Sequence, residues 1–537
     1  MVEGAWEGYA LAMKSLSRRD VLKLAPAAFA AVSAAEVQHA SVPVWEVFEL
    51  SLNGPMEGNP FVDVQLGAVF AQGRREVAVD GFYDGDGVYK VRFMPDTEGA
   101  WSYRTGCRTA SGAKELDGRT GSFTATAQNA HGPVRVANVH HFAYADGTPF
   151  FPFGTTCYAW VHQSEALQQQ TLATLKTAPF NKIRMCVFPK HYEYNHNEPP
   201  FYPFPRDAAG KNDFTRFNPE FFAHLEKRIG DLRALGIEAD LILFHPYDRW
   251  GYATMTAEQD DRYLRYVLAR MSAYRNIWWS MANEFDLMKA KTARDFDRLF
   301  HIVEQYDPYA HLRSIHYSKV TYDYARPWVT HGCMQSAKFD QAARYLADWQ
   351  KPVLFDEVQY EGNLNRRWGN ISGEEMTRRF WLGVIAGCYV THGETLLDAD
   401  AAMDEDATPT LWWSHGGVLK GTSPAMIALL RRLVEESAGP GVRAGLEAQA
   451  AAYYLNATVY GVDGKTAKTI LYYFDDHQPI WYEFPLPAGT FTAEAIDPVA
   501  MTVTALAGTF SGKARIRLSG KPFRGMRFRA VAAAGAG

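Results

Sequence analysis

The chain has 537 residues, 47% of them hydrophobic and 21% charged, and its 55 Lys plus Arg nearly balance 60 Asp plus Glu, for a net charge of −5. That length gives two to four domains at about 150 residues each, and the composition excludes a disordered chain. The charge excludes any general attraction to phosphate backbones or anionic lipid, so no nucleic-acid partner is expected.

Residues 1–40 read as an export signal and leader. Arg18-Arg19 precede the apolar run Leu24 to Val32, which is too short to span a bilayer and closes on the small residues Ser33-Ala34-Ala35. The paired arginines resemble a bacterial twin-arginine signal, with Val21 where Phe is commoner and Met13 as a start that leaves the signal whole. The mature protein is therefore expected to be soluble and periplasmic or secreted. No later apolar run approaches the roughly 20 residues of a membrane helix, so no membrane span is expected.

From 41 to 128 short alternating runs such as Phe61 to Leu66, Glu76 to Val79 and Tyr89 to Phe93 are separated by turn residues, Asp84-Gly85-Asp86-Gly87 among them. Period-two alternation at this spacing predicts an amino-terminal β-sandwich. From 129 to 438 apolar strands alternate with helical segments, the texture of parallel βα units. The expected strands are Phe150 to Thr155, Lys182 to Phe188, Ile237 to Phe244, Ile277 to Ala282, Arg313 to Tyr317, Trp328 to His331, Val353 to Glu357 and Gly387 to His392. Eight such units predict an α/β fold, a (β/α)8 TIM barrel. The first strand continues as Gly154 to Trp160, which is no phosphate loop, so a doubly wound nucleotide-binding sheet is disfavoured. The segment His191 to Asp213, rich in Pro, Phe, Tyr and Asn, is a barrel-mouth loop whose aromatic residues either wall a subsite or cover the barrel. From 439 to 537 alternation returns in Ala467 to Phe474, Ile480 to Phe484 and Ala514 to Leu518, predicting a carboxyl-terminal β-sandwich.

Reactive groups of a TIM barrel lie at the carboxyl ends of its strands. Strand four ends in Asn283-Glu284 and strand seven in Asp356-Glu357, so two carboxylates can face each other across the mouth, the geometry that glycoside cleavage requires. Other strand ends offer Arg184, His245, Tyr247, His316, Tyr317, His331, His392 and Glu394 as substrate-binding groups. An inward Arg184 would hold a nearby carboxylate ionised. Trp160, Trp250 and Trp368 could stack on sugar faces, and Asp286, two residues past Glu284, is a reserve for the acid. The five cysteines, Cys107, Cys157, Cys186, Cys333 and Cys388, are odd in number and include no C-x-x-C pair, so free thiols are expected, not a disulfide framework or a zinc knuckle.

The pair Asn283-Glu284 with Glu357 and Arg184 resembles the large clan of retaining glycoside hydrolases built on (β/α)8 barrels. Phe153-Gly154-Thr155-Thr156, Leu411 to Gly417 and Gly421-Thr422-Ser423-Pro424, with the flanking β-domains, resemble bacterial glycoside hydrolases that join a DUF5060 β-sandwich, an apiosidase-like DUF4038 barrel and a DUF5605 β-domain. The resemblance implies a carbohydrate substrate, Glu284 as acid/base, Glu357 as nucleophile and Arg184 as the nucleophile's neighbour. On that reading Glu284 has a raised pKa and stays protonated, while Glu357 is ionised. No cofactor or metal is expected. Two competing readings are a metal-dependent hydrolase using the strand-end histidines, which lacks any H-x-H or H-E-x-x-H motif, and a non-catalytic glycan-binding protein built on the two sandwiches.

Overall fold

In the computed structural model the described residues are 40–531, except 110–112, 128–129, 400–408, 438, 446–453 and 461–465. The expected leader, residues 1–40, lies outside them but for Ala40. Among the described residues no helix is long and apolar enough to cross a membrane.

The chain opens with a seven-stranded sheet spanning Ala40–Pro43 to Thr120–Thr126, antiparallel throughout except where those two outermost strands in sequence pair in parallel. Alternate residues point inward, as the period-two pattern requires, and their rings form the core: Phe48 stacks on Phe123 at 4.1 Å and Phe70 on Phe93 at 4.2 Å. This domain is bound to the barrel by buried charge. Arg92 and Arg270 share the Glu226 carboxylate, and Arg270 also reaches Asp84 at 2.6 Å.

Three short strands, Val134–Ala137, His141–Tyr144 and Pro149–Phe150, then form the barrel floor, with the Phe142 ring 5.2 Å from Trp278. Eight parallel strands follow: β1 (Phe153–Thr156), β2 (Lys182–Cys186), β3 (Glu238–Phe244), β4 (Ile277–Ala282), β5 (Arg313–Ser314), β6 (Gly332–Gln335), β7 (Val353–Glu357) and β8 (Tyr389–His392). They pair in the order β5-β4-β3-β2-β1-β8-β7-β6, and a parallel bridge from His316 to Cys333 joins the two ends into a ring. Helices such as Pro219–Ala234, capped by the Asn218 side chain, and Ala257–Met271, capped by Thr256 and Gln259 as a capping box, cover it from outside.

The sequence reading misplaced one strand. β6 is Gly332–Gln335, not Trp328 to His331, and β5 keeps only two strand residues with no helix before β6. The aromatic Trp328 and Val329 read as strand, yet they belong to the long β5–β6 connection, where Trp328 packs on His301 at 4.5 Å.

Inside the barrel, Lys182 lies 2.8 Å from both Asp240 and Asp356, and Thr391 donates to Asp356 at 2.6 Å. Although burial opposes it, the cations Lys182 and Arg184 hold the Asp356 carboxyl well below the usual carboxylate range. Removing one partner of so buried a cluster strands the rest. Asp356→Ala is therefore expected to cost about 3–5 kcal/mol near neutral pH, read from urea unfolding. Because the folded pKa is depressed, this contribution is complete above the unfolded value of about 3.9 and fades as pH falls through the folded one, so the deficit should shrink in acid.

The carboxyl-terminal region forms a six-stranded sheet from Arg443–Ala444 to Arg524–Ala530 and a two-stranded ribbon of Trp481–Pro485 with Lys513–Arg517. Tyr473 stacks on Trp381 at 5.1 Å, and Arg378 pairs with Asp475, fastening this sheet to the helix Gly373–Ile385.

Candidate active site

The carboxyl ends of the barrel strands open on a cavity of about 810 Å³. Glu357, the last residue of β7, and Glu284, two residues past β4, both line it and both are nearly buried. Between them stands Gln335, the last residue of β6. Its amide nitrogen donates to Glu357 Oε2 at 2.9 Å and to Glu284 Oε1 at 3.3 Å, two distances that together cap the separation of those oxygens at about 6.2 Å.

Each carboxylate has its own set of donors. Glu357 Oε1 accepts from the Tyr158 hydroxyl and lies 3.9 Å from an Arg184 guanidinium nitrogen and 3.7 Å from His316 Nε2. Glu284 Oε2 accepts from the Tyr247 hydroxyl and from Asn283 Nδ2 at 3.3 Å. Its backbone is held at φ 48°, ψ 54°, a left-handed conformation that a residue with a Cβ adopts at a cost of about 1–3 kcal/mol. The Glu284 N–H donates to His316 Nδ1 at 3.4 Å. Burial drives the His316 imidazole far down, so it is neutral, and with Nδ1 accepting, its one proton sits on Nε2, toward Glu357.

Burial, and next the Glu284 charge, push Glu357 up to about 7, against the pull of Arg184, the Tyr158 hydrogen bond and Lys190. This corrects the expectation that Glu357 is simply ionised: Arg184 is turned in part to Asp240, 3.5 Å away, and does not cancel the repulsion between the two glutamates.

One wall of the cavity is aromatic. Trp413 lies 5.2 Å from Trp368 and 5.4 Å from both Tyr360 and Tyr192. The loop 191–213 fills both of its expected roles: Tyr192 and Tyr194 face the cavity, while Phe204 packs into the barrel against Phe217 at 5.5 Å.

With this geometry the similarities of the chain become interpretable. A solved structure from Bacteroides vulgatus ATCC 8482, provisionally assigned as a glycoside hydrolase, is 38% identical, with a TM-score of 0.83 over 92% of this chain and 100% of that one. The chain belongs to the glycoside hydrolases. A family 5 glycoside hydrolase of the same organism shares the fold at 14% identity, with a TM-score of 0.57 over 75% of this chain and 95% of that one. Family profiles match residues 41–108 (domain of unknown function DUF5060), 136–401 (apiosidase-like, catalytic domain) and 458–529 (domain of unknown function DUF5605). No curated protein matches.

In this glycoside hydrolase Glu284, Glu357, Asn283 and Tyr247 meet in the cavity, with Arg184 and His316 buried directly beneath it. The other expected contacts lie elsewhere. His245 is buried with Nε2 on the Phe188 carbonyl at 3.1 Å, and Tyr317 is buried beside His316. His331 sits before β6, edge-on to Trp278 at 5.4 Å on the floor side. Trp160 is fully buried with its indole nitrogen 3.4 Å from Met185 Sδ, and Trp250 packs on Tyr252 at 6.0 Å, so of the three tryptophans only Trp368 lines the cavity. Asp286 is no acid: against burial, the N–H groups of Ser318, Lys319 and Val320 hold its carboxyl below its ordinary value.

The strand-end histidines do not converge, which removes the basis of the metal-dependent reading. His392 faces away from the cavity, with Nδ1 3.2 Å from Thr155 Oγ1 and its ring on Phe180 at 4.8 Å. Its ligand atom lies within 4.8 Å of carboxylate oxygens of Glu361 and Glu394. Those carboxylates already hold a loop: Glu361 accepts from the N–H and hydroxyl groups of Thr422 and Ser423, and Glu394 from the N–H groups of Lys420 and Gly421, both at 2.8 Å.

Sequence reasoning missed Gln335, Lys190, Tyr158, Tyr360 and Trp413. Only Gln335 left a usable signal, because Cys333-Met334-Gln335 ends a short apolar run on a polar residue just as the fourth and seventh strands do.

Proposed function

We propose that this glycoside hydrolase is a retaining enzyme acting on a poly- or oligosaccharide, with Glu357 as nucleophile and Glu284 as acid/base. The bridging of both carboxylates by one Gln335 amide carries this reading. It places one oxygen of each within about 6.2 Å of the other, a close approach that fits direct attack by one carboxylate better than an inverting arrangement with a water seated between them. The roles follow from the surroundings. Glu357 has Arg184 and the His316 Nε2–H on its side, which favour an anion, whereas Glu284 projects on the strained turn after β4 with neutral donors. Such an arrangement belongs with the retaining barrel clan, and the apiosidase-like match with the barrels named DUF4038.

When a saccharide fills the cleft, Glu284 in its acid role carries the proton and faces the leaving oxygen. Glu357 attacks the anomeric carbon, the glycosidic C–O bond breaks, and Glu284 gives its proton to the departing oxygen. The glycosyl ester has no charge on Glu357, so Glu284 is then free to take a proton from the water that attacks the anomeric carbon and releases Glu357. The aromatic wall of Trp413, Trp368 and Tyr360 offers stacking faces to the sugar rings. We further read the flanking β-domains as sandwiches and the leader as an export signal that delivers the enzyme to the periplasm or beyond.

The test is a panel of plant and bacterial polysaccharides and aryl glycosides, with the anomer of the first product followed by NMR. Hydrolysis with retained configuration is expected. Inverted product, or glycan binding without turnover across the panel, would refute the reading.

A further inference from the structure

Lys190, on the loop after β2, is the one cation that faces both glutamates from inside the cavity wall among the described residues. It is 3% exposed, and no carboxylate lies within ion-pair distance of its ammonium among the described residues. Aromatic faces enclose it instead. The nitrogen lies 4.2 Å from the ring centre of Tyr158, 4.3 Å from Tyr247, 4.6 Å from Tyr192 and 5.6 Å from Trp413. Burying an ammonium without a counterion is costly, so its retention here calls for a return in function.

Two of the four rings supply that return. The Tyr158 hydroxyl donates to Glu357 and the Tyr247 hydroxyl to Glu284. A cation on the face of a phenol draws electron density from the ring, fixes its plane and makes its O–H a better donor. We infer that Lys190 is a positioning residue for both glutamates, its ammonium clamping the two tyrosines that hold one carboxylate each while adding a positive charge to the pair's surroundings. The inference rests on Glu284 and Glu357 being the working pair. The titratable groups facing Glu357 are Glu284 after β4, Arg184 and the Cys186 thiol from β2, His316 after β5, Tyr158 after β1, Tyr247 after β3, Tyr360 after β7, and Tyr192 with Lys190 on the loop after β2. Of these only Lys190 and Arg184 are cationic: burial holds the Lys190 ammonium below its ordinary value, against the pull of Cys186, Glu284 and Glu357, and His316 is neutral.

The test needs no substrate. Protein labelled with 13Cδ-glutamate is titrated by NMR, the Glu357 signal being assigned by its loss in Glu357→Gln. Lys190→Met is expected to move the Glu357 midpoint up by about one pH unit, and Lys190→Arg, which restores the charge, to bring most of that shift back. On whichever aryl glycoside the enzyme cleaves, Lys190→Met should lower kcat at least about tenfold and carry the acid limb of the pH profile upward with the midpoint. Should Lys190→Met fail to fold, Lys190→Gln carries the same test. A folded neutral variant with an unmoved midpoint overturns the inference, and so does an Arg variant that shifts as far as the Met one. Turnover surviving in Glu357→Gln overturns instead the assignment of the pair, so the two failures are told apart.

Discussion

Glu357→Gln is expected to lose at least about 10⁴-fold in kcat while the folded protein becomes more stable above pH 7. The loss follows because an amide cannot form the glycosyl ester. The gain follows from linkage. Glu357 is pushed up to about 7 from 4.5, so the folded state binds its proton more tightly than the unfolded chain does. Its charging therefore costs stability progressively as pH rises from 4.5 to about 7, and the penalty is complete above that. An amide cannot charge, so the variant escapes the penalty, though it weakens the interactions with Arg184 and Tyr158. The net gain should be about 1–3 kcal/mol at pH 8 and vanish near pH 4, read from urea midpoints at the two pH values. Lower stability of the variant at pH 8 would mean that the two carboxylates do not repel each other in the folded protein.

Glu284→Gln should show a different signature, because its expected role depends on the leaving group. With a sugar leaving group, protonation is essential, and kcat/KM should fall by about 10²–10⁴. With 2,4-dinitrophenyl glycosides the leaving oxygen needs little help, so the first step should proceed almost unimpaired and release a burst of dinitrophenolate. Deglycosylation then lacks its base, and the steady state should be slow until a small anion such as azide replaces water as the attacking group. Equal losses on both classes of substrate would reassign Glu284 to positioning alone.

These residues were legible in the sequence for a reason of chain geometry. In a parallel barrel the strand directions are shared, so an ionisable residue that ends an apolar run is carried to the same rim as every other one. Asn283, Glu284 and Glu357 obey that rule directly, and Arg184, pointing into the barrel one turn lower, obeys it in part. The rule fixes height along the barrel but not the side of the strand. His392 shares the rim with Glu357 yet points outward onto Phe180, because successive side chains alternate faces and a register one residue off reverses the choice. His331 failed differently: the strand that should have carried it begins one residue later, and the position at its mouth end is taken by Gln335. Lys190 and Tyr158 lie on loops and Trp413 on the one-turn helix Trp412–His415, where no barrel periodicity governs direction. They reach the cavity through contacts as distant in sequence as Lys190 with Trp413. The β-rich flanks were readable from alternation alone, since half-buried antiparallel strands write their faces into every second residue.

The most direct test of the whole account is chemical trapping of the nucleophile. The enzyme is incubated with a panel of 2,4-dinitrophenyl 2-deoxy-2-fluoroglycosides, in which the fluorine slows both steps and the good leaving group restores the first, and its peptides are then mapped by mass spectrometry. The account predicts one fluoroglycosyl group per chain, ester-linked to Glu357, with inactivation in step with labelling. A label on any other residue, or full activity toward a sugar whose fluoroglycoside never labels the protein, would contradict it.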